Sequence, residues 1–156
     1  TKLKGEAVLR ETGVNCVIVR SALVLGRDRF RNRGFLEWMV DKATKGEPLP
    51  LYADQLRTPI VVDDLVDVIF RLAESSFTGT ILAGGDEGLN RVEIGRKLLS
   101  AMRCSHGLIQ PMLATEQKSP VPLQLDLRLD NSSLKKILGG KELMRLDDYF
   151  ADMFTG

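Results

Sequence analysis

Four guanidinium groups fall in one short loop, Gly26-Arg27-Asp28-Arg29-Phe30-Arg31-Asn32-Arg33. A guanidinium fork binds phosphate oxygens through two parallel hydrogen bonds, and a helix starting near Gly34 would add its positive N-terminal end. Arg27, Arg29, Arg31 and Arg33 are therefore candidates for holding a phosphorylated ligand. The competing reading is a solvated basic surface loop. A second polar stretch, Asp54-Gln55-Leu56-Arg57-Thr58, offers Arg57 for the same task, with Asp54, Gln55 and Thr58 as polar candidates beside it. His106 is the only histidine. No serine or cysteine is spaced to make it half of an obvious nucleophile–base pair, and it reads as a surface loop residue. Cys16 and Cys104 are far apart and match no metal-ligand spacing. No Gly-x-Gly-x-x-Gly run opens a helix, and Gly84-Gly85-Asp86-Glu87-Gly88 has neither that spacing nor a phosphate-loop lysine, so it reads as a turn.

These residues need elements to position them. Thr1 to Thr12 has Leu3, Ala7 and Val8 on one helical face, and Gly13 can end that helix in the left-handed conformation. It begins without a cap, which suggests further chain upstream. Val14 to Leu25 is nearly continuously apolar, the pattern of a parallel strand buried on both faces. Phe35, Leu36, Met39, Val40 and Ala43 predict an amphipathic helix ending at Gly46, and Leu49 to Ala53 a short strand. The residue before a proline is pushed out of the helical region, so Arg57-Thr58-Pro59 should be extended. Ile60-Val61-Val62 continues that run. Asp63 or Asp64 should then cap a helix through Ser75 whose core face is Leu65, Ile69 and Leu72. Gly79 to Ala83 predicts a strand. Asn90 with Glu93 forms a capping-box pattern before a helix burying Ile94, Leu98, Leu99 and Met102. Ser105 to Pro122 reads as loop. Leu125 to Leu129 alternates like a half-exposed strand, Ser132 or Ser133 starts a short helix, and Asp147 opens a last one. Strands alternating with helices predict an α/β fold.

At 156 residues, 44% hydrophobic and with net charge +1, the chain makes one domain (1–156) with a core. Near-balanced charge argues against nucleic-acid binding. No apolar run is long enough for a membrane span, and the charged first residues do not resemble a secretory signal. Cys16 in an apolar run reads as a buried free thiol, which fits a cytoplasmic or other reducing compartment.

The order of segments resembles the dTDP-4-dehydrorhamnose reductase family of the extended short-chain dehydrogenases/reductases. Asp54-Gln55, Thr58-Pro59 and Asp63-Asp64-Leu65-Val66 are similar to that family's "DQ…PT…DLA" segment. The family usually has glycine where Arg57 stands and Pro-Thr where this chain has Pro59-Ile60. Thr1-Lys2-Leu3-Lys4-Gly5-Glu6 resembles the "TK-x-x-GE" stretch that closes the family's Tyr-x-x-x-Lys helix. Leu23-Val24-Leu25-Gly26 stands at the family's "VYG", with Leu25 for tyrosine, and Arg20 matches the family arginine in the preceding strand. Leu125 to Asp130 resembles the family's closing pattern, with Pro122-Leu123-Gln124 where Arg-Pro usually precedes it. The resemblance covers essentially the whole chain and only the C-terminal half of the family.

That resemblance implies the C-terminal part of an extended Rossmann-type reductase, without the N-terminal nucleotide-binding half. The complete protein would transfer hydride from NAD(P)H to a ketosugar nucleotide, with tyrosine protonating the oxygen. Lys2 would be the motif lysine, lowering the tyrosine's pKa and holding the nicotinamide ribose. Ser21 and Ala22 would bring backbone near the nicotinamide. The arginine loop and the Asp54–Thr58 loop would hold a nucleotide sugar through its diphosphate. This chain would not bind NAD(P) tightly, or reduce substrate, by itself. A missing N-terminal half or a second copy are the expected protein partners. The alternative is a non-catalytic relative, like the regulatory β subunit of methionine adenosyltransferase, left open by Leu25, Arg57 and Gln124.

Overall fold

Apolar residues at helical spacing and β-branched runs between turn residues alternate along the chain, and the fold follows them. The computed structural model describes residues 1–27, 34–118, 121 and 123–155. Its elements are α1 (Lys2–Glu11), β1 (Val17–Ser21), β2 (Val24–Leu25), α2 (Phe35–Thr44), β3 (Leu49–Tyr52), β4 (Leu56–Arg57), β5 (Ile60–Val61), α3 (Val62–Glu74), β6 (Gly79–Ala83), β7 (Leu89–Asn90), α4 (Arg91–Ala101), β8 (Ile109–Met112), β9 (Asp126–Leu127), α5 (Ser132–Ile137) and α6 (Leu146–Phe154). Three strand pairs are parallel: β1 with β6, β2 with β5, and β3 with β8. Parallel pairing requires long crossovers, which the helices supply. β4 lies between antiparallel β7 and parallel β9. The architecture is the mixed α/β expected. Among the described residues no helix is long and apolar enough to cross a membrane.

Two apolar clusters hold these layers. One joins Leu36 and Met39 of α2, Leu49 and Leu51 of β3, Ile94, Leu98 and Leu99 of α4, and Phe150 of α6. The other joins Ile60, Val68, Leu72, Ile81, Leu134 and Leu138 around α3, β6 and α5. The capping box opens α4 as expected: Asn90 Oδ1 accepts from the Glu93 N–H at 2.9 Å, and Glu93 Oε2 accepts from the Asn90 N–H at 2.7 Å. Gly13 takes φ +66° after α1, and Gly46 φ +67° after α2.

Several expectations are corrected. The run from Val14 to Leu25 is not one strand buried on both faces. It breaks between β1 and β2, and β1 is half-buried with Arg20 and Ser21 exposed. Among the described residues β1 has one ladder partner, β6. The helix lying beside it, α1, buries nothing, with Leu3 and Val8 exposed. α1 is tied down by polar contacts instead: Glu6 accepts two hydrogen bonds from Arg20, at 2.9 and 2.7 Å. α3 starts at Val62 with Val61 as its extended cap. Asp63 and Asp64 lie in its first turn, and Asp64 accepts from the Met144 N–H at 2.6 Å. Its core face carries Val68 and Leu72, while Ile69 is 48% exposed. The predicted Ser105–Pro122 loop contains β8, which hid because Gln110 and Pro111 break the apolar pattern. Proline is tolerated there because, among the described residues, β8 pairs with β3 alone. Cys16 is half-buried and free, not buried.

Candidate functional site

Arg57 is the best-held candidate. Its Nη1 donates to the carbonyls of Leu56 at 2.6 Å and Leu125 at 3.0 Å, and its Nη2 to that of Gln124 at 3.3 Å. These contacts fasten the Gln124–Leu125 segment to β4, and all three acceptors are neutral. Asp126 is near enough for Arg57 to lower its pKa slightly. That carboxylate is already taken by Arg128 in an ion pair at 2.7 Å, whose hydrogen bonds hold its pKa at about 2.

The neighbours of Arg57 in sequence are anchored from below. Thr58 is buried; its Oγ1 accepts from the Leu129 N–H at 3.2 Å and its carbonyl from the Gly85 N–H at 3.0 Å. The Gly84–Gly85 turn presses so closely on Thr58 and Pro59 that a Cβ on Gly85 would sit 1.9 Å from the Pro59 carbonyl oxygen. Asn131 locks this turn. Its Oδ1 accepts from the Gly84 N–H at 3.0 Å, and its Nδ2 donates to the Gly85 carbonyl at 2.9 Å and to that of Gly84. The glycine turn is thus a seat for the Thr58–Pro59 backbone.

Gln55 is buried, and its Oε1 accepts from Arg91 Nε at 3.3 Å. Arg91 opens α4 and lies with Cζ 4.7 Å from the centroid of the Phe35 ring, which stacks on Trp38 at 6.0 Å. Burial pushes the Arg91 pKa below the usual arginine value, and the charge of Arg57 pushes it further. Tyr52 acts in the opposite direction. Two guanidiniums are brought near one another, since β4 pairs Leu56 with Asn90 and Arg57 with Leu89, and neither forms an ion pair among the described residues. Such an arrangement favours an anion.

Asp54 lies in the same loop with its oxygens engaged elsewhere. Oδ1 accepts from the Ala114 N–H at 2.8 Å, and Oδ2 from the Thr115 N–H and Oγ1, both at 3.1 Å. The Ala114 bond above all holds its carboxyl below the usual range. Arg27 is exposed and shares a groove of about 600 Å³ with Asp63, Met144, Tyr149 and Asp152. Burial pushes the Tyr149 phenol up, and Asp63 adds to this, while the Arg27 backbone N–H opposes it. Arg29, Arg31 and Arg33 lie outside the described residues. Lys2 is exposed on α1, Ser21 is exposed at the end of β1, and the Ala22 N–H donates to the Ala83 carbonyl at 2.9 Å. Among the described residues no group of three histidine, cysteine or acidic side chains is placed to hold a metal ion.

The structure therefore joins Gln55 and Arg57 with Arg91, a residue that the sequence reading had not singled out. One signal was available: Arg91 puts a cation in the first turn of a capped helix, where the dipole disfavours it. Asn131 was equally hidden, because its partners are backbone groups distant in sequence. His106 is exposed as expected, though its Nε2 meets Ser100 Oγ at 2.9 Å.

A family model described as the RmlD substrate binding domain matches residues 1–147. A probable low-salt glycan biosynthesis reductase of Haloferax volcanii is 24% identical over 153 residues, covering 97% of this chain and 51% of that protein. The dTDP-4-dehydrorhamnose reductase of Bacillus anthracis, solved in complex with NADP, superposes with a TM-score of 0.82 at 20% identity, over 98% of this chain and 52% of that one. The UDP-glucuronic acid 4-epimerase of Bacillus cereus, solved with UDP-glucuronic acid and NAD, superposes with a TM-score of 0.72 at 19% identity, over 93% and 46%. These two likenesses show a shared α/β fold. The chain spans about half the length of the relatives it matches. By the extent of the family match, the chain belongs to the RmlD substrate binding domain family.

Proposed function

We propose that this chain is the substrate-binding portion of an NAD(P)-dependent nucleotide-sugar reductase or epimerase of the dTDP-4-dehydrorhamnose reductase kind. The observation that carries the reading is Arg57, held by three neutral carbonyls in a fold whose solved likenesses include an epimerase with a bound nucleotide sugar. Those bonds occupy Nη1 and leave the Nε–H edge pre-aimed, so little side-chain entropy is lost when that edge grips a phosphate. Thr58 and Gln55 fix the backbone and side-chain frame around it. The arginines of the Arg27–Arg33 loop are the second source of positive charge in the proposal.

NAD(P) would supply the hydride in the complete reductase. The glycine turn between β6 and α4 is taken up by Thr58, Pro59 and Asn131, and Lys2, Ser21 and Ala22 do not line the groove at Arg27. The role of this chain's residues is therefore to bind and orient the sugar nucleotide. Lys2 keeps its proposed place beside a catalytic tyrosine, where an ammonium favours the phenolate. The chain's own tyrosines, Tyr52 and Tyr149, stand on β3 and α6.

Thermal unfolding of the purified chain with dTDP, UDP or NADPH tests the reading. A nucleoside diphosphate at a hundred times its Kd stabilises by about 2.7 kcal/mol, which raises Tm by roughly 5–10 °C in a chain of this size. A rise with dTDP or UDP and none with NADPH supports an autonomous substrate portion. No rise with either diphosphate at millimolar concentration overturns it. One observation favours the non-catalytic reading: Leu25, where the family has tyrosine, is buried in the core and puts no hydroxyl at the strand end. Stimulation of a partner enzyme without nucleotide-sugar turnover would decide for that reading.

A further inference from the structure

We propose that Arg91 is a second anion-binding guanidinium beside Arg57, held by Gln55 and Phe35 so that the two arginines share one diphosphate. The inference rests on the reading of Arg57 as a phosphate-binding group. It starts from a local conflict. Asn90 and Glu93 already cap α4, so the helix end needs nothing more from Arg91. A cation in that first turn opposes the helix dipole.

The rest of the surroundings make the conflict worse. Arg91 is half-buried, so its charge is partly stripped of water. Arg57 stands on the neighbouring strand, since β4 pairs Leu56 with Asn90 and Arg57 with Leu89, and its charge adds repulsion. Glu93, two residues on, is engaged with the Asn90 N–H, and Asp126, paired with Leu56, is engaged with Arg128. Yet the side chain is held in place. One face lies on the Phe35 ring and Nε points at Gln55 Oε1. Those contacts use the flat face and one donor. Nη1 and Nη2 make no hydrogen bond among the described residues, which leaves the fork of the guanidinium available.

A cation that is positioned, partly desolvated and set beside another cation is costly without a ligand and favourable with a polyanion. The ligand class follows from the geometry. The free Nη fork of Arg91 and the Nε–H edge that Arg57 keeps beside its carbonyl bonds are separately anchored, and two such donor sets suit two linked phosphoryl groups better than a single carboxylate. Gln55 acts as a positioning residue: it orients Arg91 and is one residue from β4, which carries Arg57.

Calorimetric titration of the whole chain with inorganic pyrophosphate, dTDP and UDP tests this, with Arg57→Gln, Arg91→Gln and Arg91→Met. Methionine keeps an unbranched side chain against Phe35. Both Arg91 variants should lose about ten-fold or more in affinity for all three ligands. Their melting temperatures without ligand should stay within about 3 °C of the parent's, because relief of the repulsion with Arg57 offsets the lost bond to Gln55. If dTDP affinity stays within two-fold in both Arg91 variants while Arg57→Gln loses ten-fold, the proposal fails and the reading of Arg57 stands. If neither arginine matters, or no diphosphate binds the parent chain, both fail. A lowered melting temperature with unchanged affinity assigns Arg91 to packing and also overturns the proposal.

Discussion

Asn131→Ala should cost this fold about 3 kcal/mol, although it deletes only one small amide. Asn131 is 7% exposed and makes three hydrogen bonds, all to the backbone of Gly84 and Gly85. It stands at the cap position of α5, but its side chain does not cap that helix, so the loss is not a capping loss. A typical intramolecular hydrogen bond contributes about 1 kcal/mol net, and a buried group left without a partner costs about 1–3 kcal/mol. Water entering the alanine gap would offset part of the larger figure. At roughly 2–4 °C per kcal/mol, Tm falls by about 6–12 °C. Urea unfolding should show a lower midpoint with an unchanged slope. Because the turn seats Thr58 and Pro59, diphosphate affinity should fall as well. Asn131→Asp sharpens the test. It keeps the acceptor for the Gly84 N–H and sets a negative oxygen against two carbonyls, so at pH 7 it should be worse than alanine. The folded-state pKa of that new carboxyl is raised above its unfolded value. Its penalty is therefore full at neutral pH and relieved as pH falls through the raised pKa, where protonation restores a donor. A loss below about 1 kcal/mol for Asn131→Ala, or an Asn131→Asp variant more stable than it at pH 7, refutes the clamp.

Two glycines should respond in opposite ways to alanine. At Gly85 the new Cβ meets the Pro59 carbonyl oxygen at 1.9 Å, backbone that cannot swing aside, so the chain should lose about 3 kcal/mol or more, or fail to fold. At Gly5, inside α1 with open space around it, alanine should gain about 0.5–1 kcal/mol; urea midpoints read both. Asp54 governs an acid limb of stability. Its folded-state pKa is depressed, so its contribution is present above the unfolded value of about 3.9 and is lost as pH falls through the folded one. Melting temperature followed from pH 6 to pH 2 should show a shallower acid decline in Asp54→Asn than in the parent.

What could be read in advance was local. The capping box of Asn90 and Glu93, the glycine stops after α1 and α2, and the strand from Gly79 to Ala83 depend on neighbours a few residues apart, and each lies where its pattern puts it. Errors came where distant partners decide. Leu3 and Val8 have the helical spacing of a core face, yet spacing cannot say whether another element covers that face. β8 contradicts its own composition because β3 pairs with it across the fold.

The candidate site divides along the same line. Arg57 could be picked out because a polar, proline-ended stretch frames it. Asp54 could be picked out too, but only the structure shows that its oxygens are spent on the Ala114 and Thr115 turn. Arg91 belongs to no motif and is brought near Arg57 by the pairing of β4 with β7. Its one sequence signature is a local rule broken without local compensation, a positive side chain at the positive end of a helix. Natural sequences mostly keep their local preferences consistent with the fold, and sites of function are where they depart from that consistency. An uncompensated charge at the start of a helix is such a departure, because it marks a cost that a bound counter-charge would offset.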